Sequence, residues 1–370
     1  MASGAIVLFV ITLCFLVLSN FKFEAELFHL SILTFCLYCY ATSMWALNYH
    51  YAIRQANSTM ATLICLSVMY CHYKRFKDVT QLMKIFMWVG YLVVVYSYLF
   101  YGIGRVIDMG AEEGRLENTF NNINTLSMLA ATVVVINAFF YFFRKATWSL
   151  LFLFPAVVFV LSTQSRKGLF VLFVGTLMLY ILKYMKSKKR SIVPIFKLLG
   201  FVMLMVVIIL VLTSMSRFEN VTTRFMGMVS WITGEGEIDV STQIRIDLKN
   251  LAWEQFKKTP FFGIGIGCSS FLTGEEMGQR LYMHDNYAEL AVDGGLFGLI
   301  IYYSIFLYLL LKEWKYRKVD DMSNLIITLL VLQFFTDTGA VSYIARITYY
   351  QLMIFFLHLE ICKVKYPQIK

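Results

Sequence analysis

The chain has 370 residues, of which 59% are hydrophobic and only 15% are charged, whereas soluble domains carry roughly 25% charged residues. Its mean hydropathy is +0.66, and its apolar residues lie in runs of about 20, the length that a helix needs to cross a bilayer. These values exclude a set of soluble domains and predict an all-α polytopic membrane protein.

Eleven apolar runs predict about 11 transmembrane helices, within a range of about 10–12. The runs are 4–20, 26–47, 57–73, 82–103, 122–143, 147–164, 168–185, 194–213, 287–311, 324–341 and 345–362. No basic residue precedes the first run, so it is interpreted as a retained span rather than a cleaved signal peptide. No repeat or soluble appendage separates the runs, and residues 1–370 are predicted to form a single membrane domain.

The formal net charge of +10 is explained better by the membrane topology of the chain than by binding to nucleic acid. Sixteen of the 33 basic residues lie in five segments that are predicted to face the cytoplasm, where they also attract anionic lipid. The predicted cytoplasmic segments are 74–81, 144–146, 186–193, 312–323 and the C-terminus. The predicted extracytoplasmic segments are 104–121, 165–167, 214–286 and 342–344. Residues 214–286 are therefore one large extracytoplasmic loop, which is where a membrane enzyme would place its chemistry.

This large loop contains a predicted amphipathic helix. Ser241 or Thr242 is a suitable N-cap, and Thr259-Pro260 ends the helix after Lys258. The predicted apolar stripe consists of Ile244, Leu248 and Leu251. A neighbouring face carries Arg245, Lys249 and Trp253 at positions i, i+4 and i+8. Such a helix would lie in the plane of the membrane or across the mouth of a cavity.

Positive residues on the predicted outer side run against the orientation rule and need another explanation. They are Arg166, Lys167, Arg217, Arg224, Arg245, Arg280 and Arg346. Arg166 lies in a very short turn between two spans, near membrane depth, where a charge commonly marks a substrate pathway. The alternative is an arginine that snorkels to lipid phosphate. Because a guanidinium binds phosphate bidentately, Arg166 and Arg245 could clamp a diphosphate. Further predicted substrate-binding cations are Lys167, Arg217 and Arg346.

His284 is the histidine of the large loop, and an imidazole suits proton transfer near neutral pH. Asp285 and Glu289 lie near enough in sequence to orient its ring. The alternative interpretation is a surface histidine at the entrance of a span. Asp293 and Asp337 are interpreted as structural or only weakly functional.

Gly263, Gly265 and Gly267 alternate within the loop, but no strand precedes them and no GK[ST] follows, which excludes a nucleotide-binding loop. They fit either a turn that lets the backbone approach a substrate or simple loop flexibility. The outer segments offer no carboxylate pair or His/Cys cluster typical of a metal site, so no metal or cofactor is predicted. The seven cysteines indicate no disulfide framework.

Several short motifs follow one another in a fixed order. They are TFNNINT at 119–125, QSRKG at 164–168 between two spans, Thr242-x-x-Arg245 at the start of a helix, PFFGIG at 260–265, HDNYAEL at 284–290, and glycines at 294, 295 and 298. In order, spacing and topology this set resembles the O-antigen ligase and polysaccharide polymerase superfamily, over about the C-terminal two-thirds of the chain. Ile123 departs from the family pattern, which usually has a proline there.

The resemblance implies a C-type glycosyltransferase-like membrane fold and a glycan donor linked to undecaprenyl pyrophosphate, used without metal or nucleotide. It assigns Arg166 and Arg245 to the donor pyrophosphate and His284 to activation of the acceptor hydroxyl for inverting attack at the anomeric carbon. Asn124 and Tyr287 lie in matching motifs and are assigned to substrate binding. The implied location is the bacterial inner membrane with a periplasmic active site, and a chain-length regulator and a flippase are candidate partners.

Two activities compete within this superfamily. A polymerase joins a growing chain to the next lipid-linked repeat unit, whereas a ligase transfers the finished chain to lipid A-core. The compact size and the SRKG turn at 165–168 favour the polymerase. A transporter of lipid-linked sugars would instead have internal repeats, broken helices at the midplane and no single dominant loop, which is the opposite of this pattern. A scaffold protein would not explain Arg166.

Overall fold

The computed structural model describes residues 23–76, 78–108, 123–163, 165–186 and 240–369, together with isolated positions between 10 and 17 and at 200. Every regular element within these ranges is an α-helix. The predicted spans 4–20 and 194–213 lie largely or almost wholly outside the described residues, as do Arg217 and the first part of the large loop. The number of eleven spans therefore stays a prediction.

The helices are numbered in chain order. They are α1 (Leu27–Thr42), α2 (Tyr49–Tyr73), α3 (Thr80–Tyr101), α4 (Ile103–Asp108), α5 (Ile123–Arg144), α6 (Ser149–Ser162), α7 (Arg166–Lys186), α8 (Val240–Lys258), α9 (Ser269–Met277), α10 (Asn286–Tyr316), α11 (Asp321–Thr336) and α12 (Arg346–Lys365).

Five of the described helices are long and apolar enough to cross a membrane, judged by length and composition. These are α3, α5, α7, α10 and α12, while α1, α6 and α11 are apolar but shorter. The predicted class, a multi-pass helical membrane protein, is thus confirmed. The predicted run 57–73 is too short, because α2 begins at Tyr49. Asn48 Oδ1 accepts the Tyr51 N–H at 3.2 Å and caps the helix at this earlier position.

The chain divides into two compact units. The first unit contains residues 1–80, 240–316 and 337–370, and the second contains residues 81–239 and 317–336. Within the second unit, α5 packs closely on α7: a Cβ added to Gly175 would lie 2.5 Å from Val135, which shows how near the two helices are. The buried Asn137 amide also donates to the Tyr91 hydroxyl at 2.6 Å and to the Ser149 carbonyl at 2.8 Å. Small residues and buried amides of this kind hold apolar helices together.

Within the first unit, α10 is interrupted at Gly295, whose φ of 61° and ψ of −164° are not helical. No break was predicted in this apolar run. The part after the break, residues 296–316, contains roughly 20 residues and spans about 30 Å, the thickness of a hydrocarbon core. The break therefore lies at the loop end of α10 and not at its centre.

The break leaves backbone N–H and C=O groups of α10 without partners inside the helix, and loop residues 260–265 form hydrogen bonds with them. The four bonds are Leu296 N–H to Pro260 O (2.8 Å), Phe297 N–H to Phe261 O (3.1 Å), Ile264 N–H to Val292 O (2.9 Å) and Gly265 N–H to Asp293 O (2.9 Å). Unpaired backbone groups are costly away from water. The loop thus takes the place of the missing helical turn.

The carboxylate of Asp293, which is fully buried, holds the end of the same loop. Its Oδ2 accepts the Gly267 N–H at 2.9 Å and the Tyr343 hydroxyl at 2.5 Å. Its Oδ1 accepts the Ser269 N–H at 2.6 Å, at the start of α9. A buried carboxylate needs several donors to offset its loss of hydration, and these bonds favour the structural interpretation of Asp293.

The Gly295→Ala variant is expected to destabilise the protein by about 3 kcal/mol. Alanine disfavours the positive φ, and its Cβ would lie 2.6 Å from the Phe262 nitrogen. The control is Gly278→Ala, because Gly278 has a φ of 72° and no atom within 4 Å of an added Cβ, so only the conformational cost of about 1 kcal/mol applies. Thermal unfolding in detergent measures both. Equal losses would contradict the close approach of the loop to α10.

Candidate active site

Helix α8 is fixed to the first unit by one apolar edge. Leu248 and Ala252 are buried in a cluster with Met283, the neighbour of His284, and Val292 of α10. Ile244, predicted to belong to the buried stripe, is 37% exposed, so the stripe is shifted toward Leu248 and Ala252. The helix also begins at Val240, before the predicted caps Ser241 and Thr242, and it ends at Lys258 as predicted.

An ion pair ties α8 to the segment that carries the histidine. Lys249 Nζ lies 3.1 Å from Asp285 Oδ2. The other oxygen of Asp285 accepts the N–H groups of Tyr287 at 3.0 Å and Ala288 at 3.1 Å. Because these N–H groups belong to the first turn of α10, Asp285 caps this helix with one oxygen and binds Lys249 with the other. Helix α8 and the start of α10 are thus held to the same residue.

His284 is half-buried and adopts a φ of 55°, a left-handed conformation that is uncommon for residues other than glycine. Strained backbone of this kind is concentrated at functional sites. Its ring centroid lies 3.8 Å from that of Tyr282, which is 38% exposed. Tyr282 was not predicted as a site residue. The available signal was its spacing of two residues from His284, which places both side chains on the same side of an extended segment.

The two carboxylates that were expected to orient the imidazole have backbone partners. Asp285 caps α10, and Glu289 Oε2 accepts the Met283 N–H at 2.9 Å. Since Met283 and Asp285 flank His284, these two bonds hold the backbone on both sides of the histidine. The carboxylates therefore fix the position of His284 through the main chain.

Arg245 lies on α8 one helical turn, about 6 Å, before Lys249 and on the same face. Its side chain is half-buried. Within the described ranges, no group accepts a hydrogen bond from its guanidinium or forms an ion pair with it. Arg280 differs, because its Nη1 donates to the Tyr51 hydroxyl at 2.7 Å and its guanidinium stacks on Phe271. Arg245 is therefore available to an anionic ligand on the face of α8 that meets Asp285.

The other predicted residues are distributed over both units. Tyr287 and Arg346 belong to the first unit: the Tyr287 ring stacks on Tyr303 at 4.8 Å, and Arg346 is the exposed first residue of α12. Asn124, Arg166 and Lys167 belong to the second unit.

In the second unit, the predicted short turn is confirmed, because α6 ends at Ser162 and α7 begins at Arg166. The Ser165 hydroxyl accepts the Gly168 N–H at 3.4 Å, a weak cap for α7. Arg166, the first residue of α7, is exposed, Lys167 is half-buried, and Asn124 is half-buried in the first turn of α5.

The alternating glycines have a structural explanation. Gly263, Gly265 and Gly267 have φ values of 67°, 103° and 80°, which only glycine adopts readily. Their N–H groups donate to the Thr259 carbonyl, the Asp293 carbonyl and the Asp293 carboxylate. Because these donors are occupied, the segment is not a phosphate cradle, and its hydrogen bonds to the break in α10 argue against simple flexibility.

Cys268 follows these glycines and is buried. Burial raises the pKa of its thiol to about 11, so the thiol stays protonated at neutral pH and is a poor nucleophile. The packing interpretation of this cysteine is therefore preferred.

The fold and the site together define the class of protein. It is a multi-pass helical membrane protein in which the helix that bears Arg245 is held to the segment that bears His284. The family follows from comparison with known proteins. Residues 150–303 match the family model described as O-antigen ligase, a range that includes Arg166, Arg245 and His284. The resemblance to the O-antigen ligase and polysaccharide polymerase superfamily is thereby confirmed for this part of the chain. No curated protein matches the chain at a significant level.

Proposed function

We propose that the protein is a polymerase of bacterial surface polysaccharide, O-antigen or capsule, that transfers a glycan from undecaprenyl pyrophosphate to the next lipid-linked repeat unit. The observation that carries the proposal is the ion pair between Lys249 and Asp285. It joins the helix that bears Arg245 to the segment that bears His284. A cation that can bind phosphate and a side chain that can accept a proton therefore belong to connected parts of the first unit.

The proposed reaction needs one base and one anion-binding group. The acceptor hydroxyl attacks the anomeric carbon and gives its proton to the His284 imidazole. The bond between the anomeric carbon and the phosphate oxygen breaks, and its electron pair leaves with undecaprenyl pyrophosphate. Arg245 stabilises the negative charge that develops on this leaving group. Attack opposite to the leaving group inverts the anomeric configuration.

The remaining assignments support the same reaction. The resemblance gives Arg166 a share in binding the pyrophosphate. Asn124 and Tyr287, which lie in its motifs, would bind substrate together with three cations that are predicted on the outer side, Lys167, Arg217 and Arg346. The site would face the periplasm from the inner membrane, since the large loop is predicted on the side opposite the basic junctions. A flippase would supply the lipid-linked substrate there, and a chain-length regulator would act on the product.

A ligase that transfers the glycan to lipid A-core is the second candidate, favoured by the description of the matching family. The surface glycan of a deletion strain distinguishes the two activities. Loss of a polymerase leaves a single repeat unit on the lipid core, and loss of a ligase leaves full-length chains on the carrier lipid. A deletion strain with wild-type glycan would contradict both.

The transfer is expected to need no metal ion, because Arg245 and His284 supply the charge and the base that the reaction needs. Activity of the purified protein should be unchanged by a chelator at millimolar concentration. Lipid-linked substrate and a fluorescent acceptor provide the assay. Inhibition that a divalent cation reverses would contradict metal-free transfer.

Lys249 is a positioning residue in this proposal, and Lys249→Ala is expected to lower kcat on the order of tenfold with little change in KM, because misplacement of reacting groups slows the chemical step. Stability should change by only about 1 kcal/mol, because Lys249 is exposed and the buried Asp285 carboxylate keeps the N–H donors of Tyr287 and Ala288. Lys249→Arg, which keeps the charge, should restore most of the rate. Lys257→Ala in the same helix is the control, because Lys257 is exposed. Equal effects of the two alanine variants would show that the ion pair has no positioning role.

A further inference from the structure

Two aromatic side chains of the loop that binds the break in α10 are exposed. Phe261 is 55% and Phe262 is 53% exposed, although both belong to the large loop that is predicted to face water. Aromatic side chains of this size are usually withdrawn from water. A contiguous exposed apolar patch marks contact with a protein, a ligand or a membrane, so these two residues indicate a contact surface.

Phe261 and Phe262 form one cluster with aromatic residues from two other segments of the first unit. The ring centroid of Phe297, just after the break, lies 5.1 Å from that of Phe262 and 6.3 Å from that of Phe261. The ring centroid of Trp45, in the segment between α1 and α2, lies 5.6 Å from that of Phe262. Trp45 and Phe297 are exposed as well. These four residues form the aromatic cluster.

The indole of Trp45 is placed as a boundary between water and lipid requires. Its Nε1–H donates to the Phe262 carbonyl at 3.3 Å, so the polar atom of the ring is bonded to the loop while the residue remains exposed. Tryptophan is enriched at membrane–water interfaces because its ring is apolar and its N–H needs a partner. The same hydrogen bond ties Trp45 to the loop that carries the two phenylalanines.

A stripe of exposed residues runs along α10 after the break. Its members recur at spacings of three and four residues, which places them on one face of the helix. They are Phe297, Ile300, Ser304, Leu307, Leu311 and Trp314. The Ser304 hydroxyl donates to the Ile301 carbonyl, so the polar side chain of this stripe is already bonded. Because α10 is a candidate membrane span, the stripe is the face that α10 presents to acyl chains.

The stripe has an aromatic residue at each end, Phe297 and Trp314. The distance between them along the helix is about 26 Å at a rise of about 1.5 Å per residue, which is close to the thickness of a hydrocarbon core, about 30 Å. Aromatic residues are enriched at both surfaces of a bilayer. Trp314 lies between Lys312 and Lys315, at the predicted cytoplasmic end of the span. The aromatic cluster therefore lies at the level of the opposite surface.

We propose that the aromatic cluster is a membrane anchor that inserts into the headgroup region of the leaflet next to the large loop. It holds residues 260–265, and through their hydrogen bonds the break in α10, at that depth. The bilayer is the partner because Phe297 belongs both to the cluster and to the stripe. The surface that meets headgroups thus continues into the surface that meets acyl chains. This anchor does not depend on the proposed glycosyl transfer.

The test is quenching of tryptophan fluorescence in vesicles of phosphatidylcholine that carries bromine either close to the headgroup or close to the end of the acyl chains. Phe261→Trp adds an indole to the cluster, and subtracting the emission of the unaltered protein isolates its signal. This signal should be lost more strongly with bromine near the headgroup than with bromine near the chain end. The matched control is Gln279→Trp, because Gln279 is exposed, as are the nearby Glu275 and Glu276. Its signal should be quenched by acrylamide in the water and by neither lipid.

Trp45→Phe gives a second measurement, which adds no larger ring to the cluster. The emission that this variant loses should depend on bromine depth in the same way as the emission that Phe261→Trp gains. Quenching of either signal by acrylamide and not by lipid would place the cluster in water, and stronger quenching by bromine near the chain end would place it in the hydrocarbon core. Resistance to both kinds of quencher would show that another protein chain or a second copy covers the cluster. Each of these three results would overturn the proposal.

Discussion

The His284→Asn variant should have no measurable glycosyl transfer while it accumulates in the membrane at the level of the unaltered protein. Removal of a general base costs about 10²–10⁴-fold in rate. Asparagine is the informative replacement, because it tolerates the left-handed conformation that His284 adopts at a φ of 55°. The backbone at the start of α10 therefore stays as it is, and only the imidazole is lost.

His284→Ala should abolish transfer as well, with an additional loss of stability on the order of 1 kcal/mol from the unfavourable φ. His50→Asn is the control, since His50 is exposed on α2 and the mechanism does not use it. Polymer length on a gel and turnover of a lipid-linked substrate measure the outcome. Normal polymer in a strain that carries only His284→Asn would remove this histidine from the mechanism.

Arg245→Lys should lower transfer by at least about 100-fold, although it keeps the positive charge. A lysine ammonium cannot donate two parallel hydrogen bonds to a pyrophosphate, and it loses the planar arrangement of donors that a guanidinium offers. Arg245 is suited to this role because its described surroundings leave its guanidinium without a protein acceptor. Arg166→Lys is expected to have the same effect.

The same replacement at Arg280 serves as the control. Arg280 binds Tyr51 and stacks on Phe271 within the first unit, so Arg280→Lys should change stability modestly and leave the catalytic step intact. Kinetics with purified protein separate the two effects, because loss of a transition-state interaction lowers kcat and kcat/KM together. Near-normal kcat in Arg245→Lys would assign this arginine to a contact outside the reaction.

Features that depend on neighbouring residues could be predicted from the sequence. The apolar runs gave the helical membrane class, Thr259-Pro260 gave the end of α8 at Lys258, and the short segment before Arg166 gave the turn between α6 and α7. Each of these follows from hydropathy or local backbone preference within a few residues. The order of the motifs gave the family relationship, which the match at 150–303 confirms.

Features that depend on distant residues could not be predicted. The break at Gly295 exists because residues 260–265 satisfy its open backbone groups, and no local pattern reveals that partnership. The adjacent glycines 294 and 295 inside an apolar run were the available signal. The two contacts of Asp285, whose oxygens cap α10 and bind Lys249, were not predicted either. The role of a carboxylate with several possible partners is decided by tertiary packing.

The interrupted helix α10 also has a consequence for how the protein is made. The ribosome synthesises residues 260–267 before residues 294–297, so the segment that completes the break is already present when α10 emerges into the membrane. The carbonyl acceptors of the Leu296 and Phe297 N–H groups, Pro260 O and Phe261 O, are therefore available as soon as these two residues have been synthesised. A rearranged gene that encodes this loop after α10 would reverse the order of synthesis, and we expect its product to be degraded during insertion.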